Sequence, residues 1–256
     1  MTALLAALLL SAPPACGLPP LRPGALPFRE GERLSFDLDV MGVVKAGTLR
    51  ATVEPATSGG AVIPVRARLQ NTSVFAKVRR VKGQAMSWFD ARTLRPDRYR
   101  DDVDEDGVRK STEVRLAGQP AQPSLSWQFG DKKGVTRFER QAEALDLVTL
   151  VYYLRAADPR PGTTYCFDLV ANRRYWHVKA TLAPGTEKVD TEAGSFQTVR
   201  LDAVAERADK IGARRPFHLW YSTDARRLPV AAVSEIDLGP VRAMLHAVAT
   251  PLQAGE

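Results

Sequence analysis

The densest group of hard oxygen donors in the chain is Asp102-Val103-Asp104-Glu105-Asp106-Gly107, closed by Glu113. Positions one, three, five, six and twelve of this run match a calcium-binding EF-hand loop, in which carboxylates gather around a sharp glycine turn. The context argues against that chemistry. An EF-hand needs a helix on each side, and both flanks here alternate as strands. Arg109 and Lys110 would place positive charge against the cation. The run is therefore expected to be the solvated tip of a β-hairpin, with Asp106-Gly107 as its turn.

Other chemistry-bearing residues are scattered. His177, His218 and His246 are far apart, without the short ligand spacing of a zinc site, which needs three or four ligands in a closed set. Ser195 lies in Ala193-Gly194-Ser195-Phe196, which is not a Gly-x-Ser-x-Gly elbow. There is no Gly-rich phosphate loop. Asp101 with Asp102, and Glu143 with Asp146, have no spacing that marks a glycosidase. No catalytic residue, cofactor site or metal site is assigned from the sequence. An unrecognised hydrolase would require distant side chains to converge in the fold.

The two cysteines bear on location. Ala3 to Leu10 is an unbroken Ala/Leu run, followed by Ser11, two prolines, Ala15, Cys16 and Gly17. An apolar core followed by small residues is the layout of a secretory signal, expected over residues 1–17. No Lys or Arg precedes it. The run is too short for a membrane-spanning helix, and no later stretch is long and apolar enough. Cys16 has two readings. It is a candidate lipidation site of a lipoprotein, although Pro13 stands where an aliphatic residue is wanted; or cleavage falls nearby and Cys16 is incidental. Cys166, in a strand-like segment, is expected to pack as a small hydrophobe. Leu18 to Pro27, rich in proline, is expected to be a tether with no fold of its own. The protein is accordingly expected to be exported, to the periplasm or the outer membrane, with membrane contact only through a lipid anchor.

Composition is that of a globular domain: 45% hydrophobic and 25% charged over 256 residues. The net charge is +7 and the pI near 9.6. Basic pairs recur at Arg79-Arg80, Arg173-Arg174, Arg214-Arg215 and Arg226-Arg227, several of them at expected turns. If those turns gather at one end of a barrel, they form an anion-attracting rim. Nucleic acid is not an expected partner, because no nucleic-acid module is present.

The elements that must position these residues are strands. Leu34, Phe36, Leu38 and Val40 alternate with polar residues, the period of a half-buried strand. Tyr99–Val103 and Val108–Leu116 flank the acidic turn. A run of hairpins follows residue 164. Only residues 141–156, rich in Ala, Leu and Glu, break the pattern, and these are expected to form one largely buried helix. The tryptophans Trp88, Trp127, Trp176 and Trp220 fall in strand contexts.

With the elements placed, the order of several pieces becomes recognisable. Trp220-Tyr221-Ser222-Thr223-Asp224-Ala225-Arg226-Arg227-Leu228-Pro229-Val230 resembles the end signature of the domain of unknown function 3108 family. Phe28-Arg29-Glu30-Gly31-Glu32-Arg33-Leu34 resembles its opening strand. Asp146 with Tyr152-Tyr153-Leu154-Arg155 resembles its helix, and Thr191 to Phe196 its middle hairpin. The resemblance covers roughly residues 28–248. It implies an exported bacterial, predominantly β protein without an established activity. In physical terms the signature residues Trp220, Ser222, Asp224, Arg227 and Pro229 are structural: a strand ends at Ser222, Asp224 caps a turn, and Pro229 starts the next strand.

The expected architecture is mainly β: a single curved antiparallel sheet or open β-barrel-like domain over residues 28–250, with one packed helix. The expected function is non-enzymatic, a binding or accessory protein holding a lipid or other apolar ligand in the concave face. The alternative is a structural or protein-interaction module of the envelope.

Overall fold

The computed structural model describes residues 16–236 and 239–250. The expected export signal, residues 1–17, lies outside the described residues except for Cys16 and Gly17.

Alternating apolar residues produce strands that bury one face, and here sixteen of them hydrogen-bond into one sheet. The first half comprises β1 (Arg33–Val40), β2 (Val44–Val53), β3 (Val62–Asn71), β4 (Val81–Asp90), β5 (Pro96–Glu105), β6 (Val108–Arg115), β7 (Ser124–Phe129) and β8 (Lys132–Arg137). After β9 (Ala144–Asp146) and the helix α1 (Leu147–Ala156) come β10 (Thr164–Ala171), β11 (Arg174–Leu182), β12 (Glu187–Thr191), β13 (Gly194–Arg207), β14 (Arg214–Ser222), β15 (Pro229–Ile236) and β16 (Gly239–Ala249). The sheet order runs from β8 back to β1, crosses to β16, and continues through β15, β14, β13, β11 and β10 to β9. It is two antiparallel meanders joined along β1 and β16. β12 pairs with the first part of β13, off this path.

The sheet curls without closing. Its two edge strands, β8 and β9, are separated in sequence only by residues 138–143. Arg173, in the β10–β11 turn, lays its guanidinium 4.7 Å from the Phe129 ring at the end of β7. The expected curved, open, barrel-like sheet with one helix is what the structure has. One detail differs. β9 pairs with β10 in parallel, so the sheet is not wholly antiparallel.

The helix is shorter than the expected 141–156. Residues Ala144–Asp146 are extended and join β10, leaving Leu147–Ala156 for α1. Asp146 ends the strand and caps the helix: its Oδ1 accepts the N–H groups of Val148 and Thr149, both at 2.9 Å. This is a strong N-cap. A side chain that satisfies two orphan helix donors sets the start there, rather than the apolar periodicity upstream.

α1 lies in the concavity of the sheet. It touches β3 and β4 of the first half and β9 and β10 of the second. Residues Val148, Thr149, Leu150 and Tyr152 through Ala156 are all buried, so nearly every face of the helix is covered. Phe28 packs edge-on against Tyr152 (ring centroids 4.9 Å apart), and both rings approach Phe89 of β4. Tyr175 stacks on Phe138 at 5.2 Å. A second, smaller core joins Leu34 and Phe36 to Leu228, Val230 and Leu245 where the halves meet.

Residues 18–27 correct another expectation. They are not a free tether. Leu18, Leu21 and Leu26 pack on the main core. The carbonyl of Pro19 accepts the Tyr153 hydroxyl (2.8 Å), and Arg22 N–H donates to the carbonyl of Ala156 (2.8 Å). Proline content removes donors, but it does not stop a segment from docking when apolar residues between the prolines have a core to reach.

Antiparallel strands put alternate turns at opposite ends of the curl. The β1–β2, β3–β4, β5–β6, β7–β8, β10–β11, β13–β14 and β15–β16 connections share one end. Backbone bonds link them in sequence around it: Met41 N–H to Pro240, Thr72 N–H to Ala46, Asp106 N–H to Arg80, Gly130 N–H to Arg109 and Ala208 N–H to Tyr175. The docked N-terminal segment and the signature turn occupy the other end.

Candidate functional site

The pieces that carry the family signature are far apart in sequence and meet at one buried ion pair. Arg155, on the last turn of α1, has a fully buried side chain. Its Nη1 and Nη2 donate to the two carboxylate oxygens of Glu32 at 2.5 and 3.0 Å. Nη2 also donates to the carbonyls of Pro27 (2.9 Å) and Arg226 (3.2 Å). The guanidinium lies over Phe28 and Tyr152, 5.2 and 5.3 Å from the ring centres. One side chain thus ties together the opening segment, the helix and the signature turn. Forked, charge-assisted bonding of this kind fixes geometry as well as contributing energy.

The signature turn is itself a closed network. Ser222 Oγ donates to Asp224 Oδ1 (2.7 Å) and accepts the Leu228 N–H (2.7 Å). Ser222 N–H donates to the Leu228 carbonyl (2.9 Å). Arg226 donates through Nε and Nη2 to Asp224 Oδ2. Burial works against the Asp224 carboxylate, but Ser222 and Arg226 outweigh it and hold its pKa below the ordinary value. Arg227 turns the chain with a left-handed φ of 47°. The Trp220 indole donates to Glu187 Oε1 of β12 (2.7 Å). Pro229 opens β15, where its missing N–H costs no ladder bond.

At the other end of α1, Asp146 Oδ2 accepts the hydroxyls of Ser87 (2.6 Å) and Thr149 (2.7 Å). Burial pushes this carboxyl up to about 6, despite four hydrogen bonds that favour its charged form. Asp168 forms a third cluster. It accepts Tyr175 OH (3.0 Å) and Gln141 N–H (2.8 Å), and pairs with His177 Nδ1 (2.7 Å). Burial, reinforced by Asp168, pushes the Tyr175 phenol up.

His218 and His246 likewise pair with cross-strand carboxylates, Asp202 at 2.5 Å and Asp37 at 3.1 Å. Among the described residues no hydroxyl or thiol is hydrogen-bonded to an imidazole, so these Asp–His pairs do not extend to a nucleophile. Ser195 bonds to Asp190 in the exposed β12–β13 hairpin. The six-residue acidic run forms the tip of the β5–β6 hairpin, with Asp106 and Gly107 at φ 52° and 83°. Its carboxylates face cations already present: Asp102 pairs with Arg109, Glu105 with Arg79 and Lys110, and Glu113 with Arg98.

The candidate lipidation site is corrected by a covalent bond. Cys16 is joined to Cys166 on β10, with Cα atoms 5.2 Å apart. A sulfur in a disulfide has no bond left for an acyl-glyceryl thioether, so the anchor and the bridge exclude each other. Nor is Cys166 an unpaired apolar filler. Two cysteines in a chain with an export-like N-terminus were the available signal for this pair. The Glu32–Arg155 pair was also foreshadowed, since an arginine inside an apolar helix must find a counter-charge.

The concave face, expected to hold a ligand, is occupied by α1 and its aromatic neighbours. Two open depressions lie on the described surface. One, of about 510 Å³, lies between the β12–β13 hairpin and the end of β16. The other, of about 340 Å³, lies where Leu18–Leu21 crosses Arg92 and Tyr153.

A comparison with curated proteins found no match. Among solved structures, the chain is similar to a β-barrel-like protein of domain of unknown function DUF1849 from Brucella abortus, at 10% identity and a TM-score of 0.56, covering 92% of this chain and 99% of that one. That likeness agrees with the curled sheet. Weaker likenesses, with TM-scores of 0.33 and 0.36, are to a candidate exported protein with a YmcC-like fold from Bacteroides fragilis (10% identity) and a candidate lipoprotein from Parabacteroides distasonis (8%); each covers 88% of this chain, and 98% and 97% of those chains. The family model described as protein of unknown function (DUF3108) matches residues 35–246, from β1 to β16, and the chain belongs to that family.

Proposed function

We propose that this protein is a non-catalytic module of the cell envelope, working outside the cytoplasm through its outer surface rather than by enclosing a ligand. The observation that carries this reading is the position of α1. A lipid carrier of this size needs a cavity of several hundred cubic ångströms. Here the concavity is filled by a helix buried on nearly all faces, with Phe28, Phe89 and Tyr152 packed around it. The titratable clusters support the same reading, since Glu32, Asp146 and Asp168 are engaged in holding segments together. Export is supported by the Ala3–Leu10 run, with cleavage falling before Cys16 rather than after Gly17, and by the Cys16–Cys166 bridge, because disulfides persist in oxidising compartments.

A fluorescent fatty acid titrated into the disulfide-bonded protein tests the reading. The expected result is no saturable uptake. One-to-one uptake that an unlabelled fatty acid displaces would return the protein to the ligand-carrier class.

A further inference from the structure

The two ends of the curled sheet differ in what they expose. Among the described residues, eleven large apolar side chains are strongly exposed, and eight of them lie at the end shared by the seven hairpin connections named above. Met41 (64% exposed) and Val43 (83%) cap the β1–β2 turn, Val74 and Val78 the β3–β4 connection, Phe129 the end of β7, and Ile211 (99%) the β13–β14 turn. None of the eleven falls in a turn at the opposite end. Single exposed apolar residues are ordinary. Their collection on the tips of one end is not such a scatter.

The same tips carry unneutralised positive charge. Lys77, Arg80, Lys82, Lys132, Lys133 and Lys210 are exposed, and none of these side chains makes an ion pair with another described residue. Some carboxylates among them are paired: Glu105 by Arg79 and Lys110, and Asp209 by Arg207. Asp104, Asp106, Asp131 and Glu235 are exposed at this end without an ion pair to a described residue, fewer than the six unpaired cations. Three of the four basic pairs noted in the sequence, at 79–80, 173–174 and 214–215, fall at this end.

We infer that this rim docks on an anionic bilayer surface. A protein partner would be matched by one contiguous apolar patch or groove. Here the apolar side chains stand on separate tips, with lysine and arginine between them. That spacing suits a fluid headgroup layer, into which each tip inserts singly while the cations meet lipid phosphates. Affinity at such an interface combines buried apolar area with attraction to anionic lipid. The inference rests on the reading that the protein works through its surface, and it orients the molecule with Cys16 and the signature turn away from that membrane.

The test is flotation with vesicles of phosphatidylglycerol and phosphatidylethanolamine, against vesicles of phosphatidylcholine alone. Binding is expected to the first only, and to be released by raised salt. Replacing Lys132, Lys133 and Lys210 together by Glu should weaken binding at least a hundredfold, from about fivefold per charge. The matched opposite-end variant, Arg92→Glu with Arg115→Glu and Arg137→Glu, should bind as the native protein does. Ile211→Trp should show a blue-shifted emission on anionic vesicles, and Ala117→Trp at the other end should not. No binding to anionic vesicles, equal loss in both charge variants, or no shift at Ile211→Trp overturns the inference. So does a dimer that the rim variant converts to a monomer without any vesicle binding, which would assign the rim to a second copy. These outcomes are independent of fatty-acid uptake, so failure here leaves the filled interior untouched.

Discussion

Arg155 and Asp146 mark the two ends of α1, and each makes a separate prediction. Removing Arg155 leaves Glu32 buried without its counter-charge, a change that typically costs roughly 3–5 kcal/mol. Arg155→Leu should destabilise by about that amount. Adding Glu32→Gln should recover part of the loss, so a double-mutant cycle by urea denaturation should show strong coupling. Additive losses would contradict the buried pair. Asp146 makes stability depend on pH. Its folded value of about 6 exceeds the ordinary aspartate value of 3.8. Between those values the native state binds more protons than the unfolded chain, so this contribution is complete below about pH 4 and is lost as pH rises through about 6. Relative to Asp146→Asn, which keeps an acceptor for the helix N–H groups, the native protein should lose roughly 2–3 kcal/mol from about pH 4 to about pH 7. A flat difference would show that the carboxyl ionises normally. At this scale the sequence was partly legible. Ser222, Asp224 and Pro229 do the turn-making that their types suggested. Asp146 looked like one more helical residue, because its capping role depends on Ala144 and Leu145 finding β10 as a partner.

At the scale of elements, the docked N-terminal segment is the piece whose order depends most on one bond. The Cys16–Cys166 bridge closes a span of 150 residues. A loop of that size gives a chain-entropy stabilisation of roughly 5 kcal/mol at most, commonly 2–4. Cys166→Ser should therefore lower stability by about 2–5 kcal/mol, measured against the native protein in urea. Amide exchange at position 166, Arg22 and Asp158, whose N–H groups belong to the contact between this segment and the body, should quicken more than exchange in β3 or β4. Unchanged exchange there would mean that Leu18, Leu21 and Leu26 hold the segment without the bridge. The hairpins were legible from alternation and from Asp106-Gly107, since period-two burial and a turn needing positive φ are local properties. The docking of residues 18–27 was not. It depends on a core assembled from residues more than a hundred positions away, and proline-rich composition describes the segment rather than its surroundings.

At the scale of the whole molecule, the sheet is large enough to enclose a ligand, yet it encloses its own helix. Counting strands could suggest the curl, but not what fills it. The apolar character on several faces of residues 145–156 was the sign that this helix needed covering all round. The same reasoning separates the interior, which is complete, from the rim, where apolar tips and lysines stand uncovered. Native mass spectrometry of the protein, purified without reduction, tests the claim of a filled interior most directly. The predicted spectrum is that of the disulfide-bonded chain with no bound apolar molecule. A stoichiometric apolar adduct that is released only when the protein unfolds would contradict it.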